Sequence, residues 1–310
     1  MSKPDESILF EPVADAYGSR LALVFGNEFA KGECPFYTAK QCNHCDIGAG
    51  EGEQFDSEMN AERLGFFQEQ YKDILQGIEH LVIYNSGSTL NNREMSRETL
   101  GNVLDYASSL EDCKVVSLDS REMYVTEDSL DYVVDKLRED QEARVILGVE
   151  SQSDEVRIGK LNKRMTKQGI ERAFSVASKY DGKVGVDVNI VFQPPELVGE
   201  EAIQESVETL KYGLSLGEQY GVSVDFNFHP YYQSEKSKGM FPDHSRADLQ
   251  NAKEALRRMK AEIGKRDAKI FIGWQDEEHD QQSALRDREL EEEIVVLDRF
   301  NVTQDIQYLD

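Results

Sequence analysis

The chain has 310 residues, 39% of them hydrophobic, which is enough to build a substantial core and excludes an intrinsically disordered polymer. Sixty acidic residues against 35 basic ones give a net charge of -25, so a polyanion is repelled unless basic groups gather on one face, and nucleic acid is a disfavoured partner. The first residues are polar and acidic, and no apolar stretch approaches the roughly 20 residues of a membrane span, so a cytoplasmic protein without membrane contact is expected.

The strongest local signal comes early. Cys34, Cys42 and Cys45 are spaced C-x7-C-x2-C in a stretch that reads as a loop. An iron-sulfur cluster of the [4Fe-4S] type takes one thiolate per iron, so three cysteines leave one iron open to a ligand that is not protein. Zinc is the alternative: it asks for a fourth ligand, for which His44 is near but awkward as the neighbour of Cys45. The spacing alone leaves open a cluster, a structural zinc site in a non-catalytic binding protein, and three ordinary thiols. Cys113 reads as a buried thiol, and four cysteines so arranged do not make a disulfide framework.

Short runs rich in Val, Ile and Leu alternate with helical periodicity from residue 20 onward, the pattern of repeated β-α units on a parallel sheet. Strands are predicted at 21–25, 80–84, 114–118, 144–149, 183–191, 222–228 and 269–272. Helices are predicted at 57–76, 93–109, 127–140, 166–179, 199–220 and 246–265. No linker divides the series, so a lead-in over 1–18, one domain over 19–275 and an acidic extension over 276–310, packed on or over that domain, are expected.

Two late strands choose between architectures. Val184, Val186, Val188 and Ile190 alternate with Gly185, Asp187, Asn189 and Val191; Val222, Val224, Phe226 and Phe228 alternate with Ser223, Asp225, Asn227 and His229. Buried strands of a doubly wound sheet should be apolar on both faces, whereas a barrel strand can turn polar groups inward. An α/β barrel, incomplete and with a polar interior, is therefore predicted, edge strands being the other source of such alternation. In a barrel the loops after the strand carboxyl ends form the functional face. The cysteine loop lies there, with Asn85-Ser86-Gly87-Ser88, Asp119-Ser120-Arg121, Glu150-Ser151, Gln193-Pro194-Pro195, His229-Pro230-Tyr231-Tyr232 and Trp274-Gln275.

A three-cysteine loop after the first strand of such a barrel resembles the radical S-adenosylmethionine (SAM) superfamily, although most members space the cysteines C-x3-C-x2-C. The wider gap is similar to that of the archaeal enzyme of archaeosine formation and, more distantly, to the elongator catalytic subunit. Ser86-Gly87-Ser88 matches that branch's S-G-S, and Asp119-Ser120-Arg121 resembles its E-S-R. Gly148-Val149-Glu150-Ser151, Ser153-Asp154 and Asn162-Lys163 resemble its G-L-E-T, S-D and N-K-G, and Gln193-Pro194-Pro195 stands where it has K-P-P. Two departures are His44, where an aromatic ring over the adenine is common, and Glu122, where the branch has proline; past residue 230 the likeness fades.

The resemblance implies a partial (β/α)6-type barrel in which Cys34, Cys42 and Cys45 hold a [4Fe-4S] cluster and SAM chelates its open iron. One electron from a donor such as flavodoxin or ferredoxin then cleaves SAM to a 5'-deoxyadenosyl radical that abstracts hydrogen from a substrate. It implies that Ser86, Gly87, Ser88, Asp119, Arg121, Glu150 and Lys163 bind SAM, Glu150 at the ribose and Lys163 or Arg121 at the carboxylate. The substrate-facing candidates are Asp187, Asn189, Gln193, Asp225, Asn227 and His229. Tyr231 and Tyr232 are candidate hydrogen donors, although paired loop tyrosines more often pack or stack. Charge favours a small-molecule or peptide substrate; the branch suggests a tRNA base, presented with a partner subunit.

Overall fold

The computed structural model describes residues 10–45, 47–231, 239–244, 247–273 and 291–309, with side chains in the last segment from 295. Eight strands form one sheet in chain order: β1 (Val13–Asp15), β2 (Gly18–Phe25), β3 (His80–Asn85), β4 (Val115–Ser120), β5 (Glu142–Glu150), β6 (Val184–Phe192), β7 (Val224–Pro230) and β8 (Ile270–Ile272). Every neighbouring pair is parallel except β1 and β2, which form a tight antiparallel hairpin. This is the predicted α/β barrel, nearly closed, with one strand more than the periodicity announced. A three-residue strand in an irregular lead-in carries too short a pattern to be read.

Helices return the chain between strands: α1 (Pro35–Thr38), α2 (Ser57–Gln70), α3 (Arg97–Ser109), α4 (Glu127–Lys136), α5 (Lys167–Ala177), α6 (Glu200–Tyr220), α7 (Leu249–Ile263) and α8 (Glu291–Thr303). Several of their starts are set by side chains that accept a free amide of the first turn: Asp56 from Met59, Ser96 from Thr99, Thr166 from Gly169 and Asp248 from Asn251. Gly221, at φ +67, ends the longest helix in the left-handed conformation that glycine adopts without strain. Among the described residues no helix is long and apolar enough to cross a membrane.

Alternation along each strand sorts the side chains into two compartments. Outward residues such as Leu21, Leu23, Ile83, Leu118, Val145, Val188, Phe226 and Ile270 join the helices in one continuous apolar core. Inside the barrel, a separate small cluster of Ala22, Val82 and Ile146 forms a middle layer, with Phe10 and Tyr84 against it. The polar strand faces of β6 and β7 point inward, as the alternation predicted, and both strands lie away from the sheet edges.

Below that middle layer, at the strand amino ends, lies an ionic floor. Arg144 is 1% exposed; its Nε donates to Asp187 at 2.6 Å, its Nη2 stands 3.2 Å from the Asp225 carboxylate, and its Nη1 donates to Glu142 at 2.5 Å. A Cβ on Gly185 would fall against that guanidinium, so the strand opposite needs glycine there. The β1–β2 hairpin covers the floor: Tyr17 donates to Asp225, and Asp15 contacts His80 Nδ1 at 2.6 Å while pairing with Arg20. His80 also meets Ser117 Oγ at 2.8 Å.

The two open edges, β1 and β8, are joined by α8, which packs against both. Its side-chain amides act as a substitute strand: Asn301 accepts the Ile272 amide and donates to the Ile272 carbonyl, and Gln304, just past the helix, does the same for Ile270 at 2.8 Å each way. The edge groups of β8 are thus satisfied without another strand.

Arg144 is the element whose loss the floor should tolerate least. Arg144→Met leaves Asp187 and Asp225 buried without their cation and is expected to cost about 3–5 kcal/mol in urea unfolding. Adding Asp187→Leu and Asp225→Leu should recover most of that loss.

Candidate functional site

The loops at the opposite, carboxyl end of the barrel are tied to one another through their backbones. In the loop after β2, Cys34 precedes Pro35 at the first position of α1, and its amide donates to the Gly48 carbonyl at 2.8 Å. Cys42 takes φ +53; its amide donates to the Asn162 carbonyl at 3.1 Å, and the Asn43 amide to the Leu161 carbonyl at 2.9 Å. The Asn162 side chain answers with a bond to the Lys40 carbonyl. The cysteine loop is thereby zipped to the loop after β5, which carries Lys163.

Arg121, in the loop after β4, links these two. Its Nη1 lies 3.5 Å from Cys42 Sγ, its Nη2 donates to the Lys163 carbonyl at 2.5 Å, and its guanidinium stacks 3.7 Å over the Phe36 ring. Ser88 Oγ, from the loop after β3, accepts the Arg121 amide at 3.3 Å. Ser86 Oγ donates to the Gly32 carbonyl at 3.1 Å. Four successive strand-end loops therefore form one connected rim.

That rim concentrates backbone strain. Of the ten non-glycine residues at positive φ among the described residues, Lys31, Lys40, Cys42, Asn162, Arg164, Gln193 and Glu196 lie in strand-end loops and Glu150 ends β5. At Glu150 the β5–β6 register shifts between Leu147 and Glu150, and this irregularity aims the carboxylate into the mouth. Lys163 Nζ donates to Glu150 at 2.8 Å, and His44 Nε2 stands 3.9 Å from the same oxygen. Burial pushes the Glu150 pKa up, but the Lys163 charge and hydrogen bond together with His44 and His229 outweigh it and hold the carboxylate below its usual range; the Glu150 charge likewise helps hold Lys163 above its own.

Two of the loop thiols, Cys34 and Cys45, are favoured in the protonated form. Burial pushes Cys34 up to about 12, with the Glu94 charge adding, and pushes Cys45 up to about 11. Among the described residues no three Cys, His, Asp or Glu side chains are gathered tightly enough to share one metal ion. A [4Fe-4S] cluster takes each thiolate on a different iron. The chemistry of the donor set fits that group: three thiols on one loop, with the Arg121 cation beside Cys42. The loop is also built from glycines with no room for a Cβ. At Gly32 (φ +70) it would overlap the Glu53 carbonyl, and at Gly50 (φ +62) the Gly32 carbonyl.

Other residues singled out from the sequence sit elsewhere. Asp187 and Asp225 face inward, but in the floor, where Arg144 holds them. Asn189 and Asn227 are adjacent across β6 and β7 and bond to each other at 3.0 Å. His229 is one layer higher, close enough to Glu150 to lower its pKa and directly beside Gly273. Gln193 is buried, and its side-chain oxygen accepts the Asp248 amide at the start of α7. Tyr231 is 4% exposed, packed with Val156, Leu161 and Val191 and edge-on to His244. Tyr232, Trp274 and Gln275 lie outside the described residues.

Asp119 faces the mouth from β4. Loss of water pushes its pKa up to about 7, with Glu150 and Glu94 adding and Lys163 and Arg121 opposing. A carboxyl whose folded pKa exceeds its unfolded one binds more protons folded. Stability should therefore fall as pH rises from about 4 to 7, and Asp119→Asn should flatten that slope in urea midpoints measured across the range. Gly50→Ala is expected to shift the Gly32 carbonyl away from Ser86 and, at a cost of about 1–3 kcal/mol, expose Cys34 and Cys45, read as faster labelling by a thiol reagent.

No family model matches the chain. An uncharacterized protein of Methanocaldococcus jannaschii is 26% identical over 167 residues, covering 53% of this chain and 45% of that protein, so the matched part spans less than half the relative's length. Elp3 of Methanocaldococcus infernus superposes with a TM-score of 0.51 at 12% identity, over 83% of this chain and 56% of that one. A mutant spore photoproduct lyase superposes with a TM-score of 0.50 at 11% identity, over 75% and 73%. At these identities the likeness establishes one thing: the chain has the same α/β barrel fold as these two proteins.

Proposed function

We propose that the chain is a radical SAM enzyme whose cluster is held by Cys34, Cys42 and Cys45. The observation that carries this reading is Arg121, which at once touches the Cys42 sulfur and the Lys163 carbonyl and so joins the three-thiol loop to the candidate SAM-binding loops. The barrel it shares with two radical SAM enzymes supports the same reading. When bound, the cluster supplies the electron that cleaves SAM and yields a hydrogen-abstracting radical.

The chain's own residues bind, orient and exclude water. Glu150 offers acceptor oxygens to the ribose hydroxyls, while Arg121 and Lys163 offer cations to the SAM carboxylate. Both cations stand in the rim, so the carboxylate of the ligand replaces part of the neutralisation that Glu150 now gives Lys163. The apolar layer of Ala22, Val82 and Ile146 lies across the barrel interior below the site and limits water there. His229, Asn189 and Asn227 line the interior between rim and floor and are the groups left to meet a substrate. With a net charge of -25, the favoured substrate is a small molecule or peptide.

Anaerobic reconstitution with iron and sulfide should give a brown protein that releases 5'-deoxyadenosine from SAM under a one-electron reductant. Cys42→Ala should abolish both colour and product, and Lys163→Met should raise KM for SAM about tenfold or more. Stoichiometric zinc with no iron-sulfur absorption would overturn the proposal. Binding of tRNA that weakens steeply with salt would assign the substrate to nucleic acid instead.

A further inference from the structure

Glu94 was not singled out by the sequence, where it ends the polar run Asn91-Asn92-Arg93-Glu94 between a loop and a helix. In the structure it is fully buried. Its main-chain carbonyl accepts the Glu28 amide at 2.9 Å and the Asn85 side chain at 3.2 Å, tying the ends of β2 and β3 together. Its side chain continues the tie. Oε1 accepts Asn91 Nδ2 at 2.5 Å; Oε2 accepts the Ser88 amide at 3.2 Å and faces Asn27 Nδ2 at 3.5 Å.

The carboxylate lies flat against Gly87. A Cβ built on Gly87 would overlap Glu94 Oε2 and come within 2.8 Å of Asn27 Nδ2. Gly87 has no positive φ that would by itself demand glycine. The middle glycine of Ser86-Gly87-Ser88 is therefore required by the carboxylate behind the loop. Ser88 in turn receives the Arg121 amide, and Arg121 reaches Cys42, so a displacement of Glu94 is passed along three loops to the thiol.

We infer that Glu94 is the positioning residue of the rim: its carboxylate fixes the Ser86-Gly87-Ser88 turn from behind, and Gly87 is glycine to let it do so. The residue type follows. Donors approach both oxygens, Asn91 on one and Ser88 on the other, so a glutamine must set its NH2 against one of them, while a carboxylate accepts from both. Burial pushes the Glu94 pKa up while its hydrogen bonds from Asn91, Ser88 and Asn27 and the Arg121 charge favour the carboxylate, and a fold keeps such a group where its hydrogen bonds define a geometry.

The test pairs Glu94 with Gly87; its kinetic arm rests on the radical SAM reading and its other arms do not. In Glu94→Ala, amide hydrogen exchange of the Ser88 peptide should speed up about tenfold or more, with Glu94→Gln intermediate. Gly87→Ala should lower the urea midpoint clearly in the native background and much less in Glu94→Ala, because the atom it strikes is gone. In the reconstituted enzyme, Glu94→Ala should raise KM for SAM about tenfold while kcat stays within about threefold. Unchanged exchange at Ser88, or an equal cost of Gly87→Ala in both backgrounds, overturns the inference. Should Glu94→Ala fail to fold, Glu94→Asp withdraws the carboxylate by one methylene and carries the same readouts. If the native enzyme leaves SAM intact, exchange and the double-variant cycle still decide the role of Glu94.

Discussion

The barrel stands on one buried guanidinium. Arg144 spans from β5 to the carboxylates of β6 and β7, and those carboxylates carry the hairpin through Tyr17. A charge so deeply buried survives only because several partners surround it, Glu142 from its own strand, Asp187 from β6 and Asp225 from β7. The result fixes the strands relative to one another at their amino ends. Precision at the upper rim, about five residues further along the same strands, is inherited from this floor.

Above it, the two ends of the barrel solve opposite problems. Below, charges neutralise one another around Arg144. At the mouth, Lys163 donates to Glu150, which sits at positive φ, while Arg121 reaches the Cys42 sulfur and the Lys163 carbonyl and Asp119 faces the same opening. Burial pushes the Cys34 and Cys45 thiols up and favours their protonated forms.

Much of this arrangement was written in local pattern. The strands from β2 onward follow from runs of Val, Ile and Leu, whereas α3 and α7 start at Arg97 and Leu249, behind the caps Ser96 and Asp248, and not at 93 and 246; the cysteines, Ser86-Gly87-Ser88 and Glu150 declare themselves as short motifs. The alternation of Asp187 and Asp225 with valine and phenylalanine correctly turned them inward. What it lacked was depth: period two tells which face a residue takes, but not whether a cation such as Arg144, some 40 residues away, already occupies that layer. Glu94 was invisible for a related reason. Its partners come from Asn27, Ser88 and Asn91, and a polar residue between elements has no periodicity to betray burial. The hairpin strand β1 was missed because its three residues gain their meaning only by pairing back on β2 and covering the floor.

The amide ladder from Asn301 and Gln304 to β8 also sets a timetable. Strands β2 to β8 can pair in order as they leave the ribosome, each beside the one before it. The seam cannot: β1 is made first, yet the helix that covers it lies nearly 280 residues later in the chain, and the edge of β8 keeps bare donors and acceptors until the same helix arrives. During synthesis the nascent barrel therefore carries two unprotected edges at once, and its window for pairing wrongly with a neighbouring chain closes only when residues 291–304 dock.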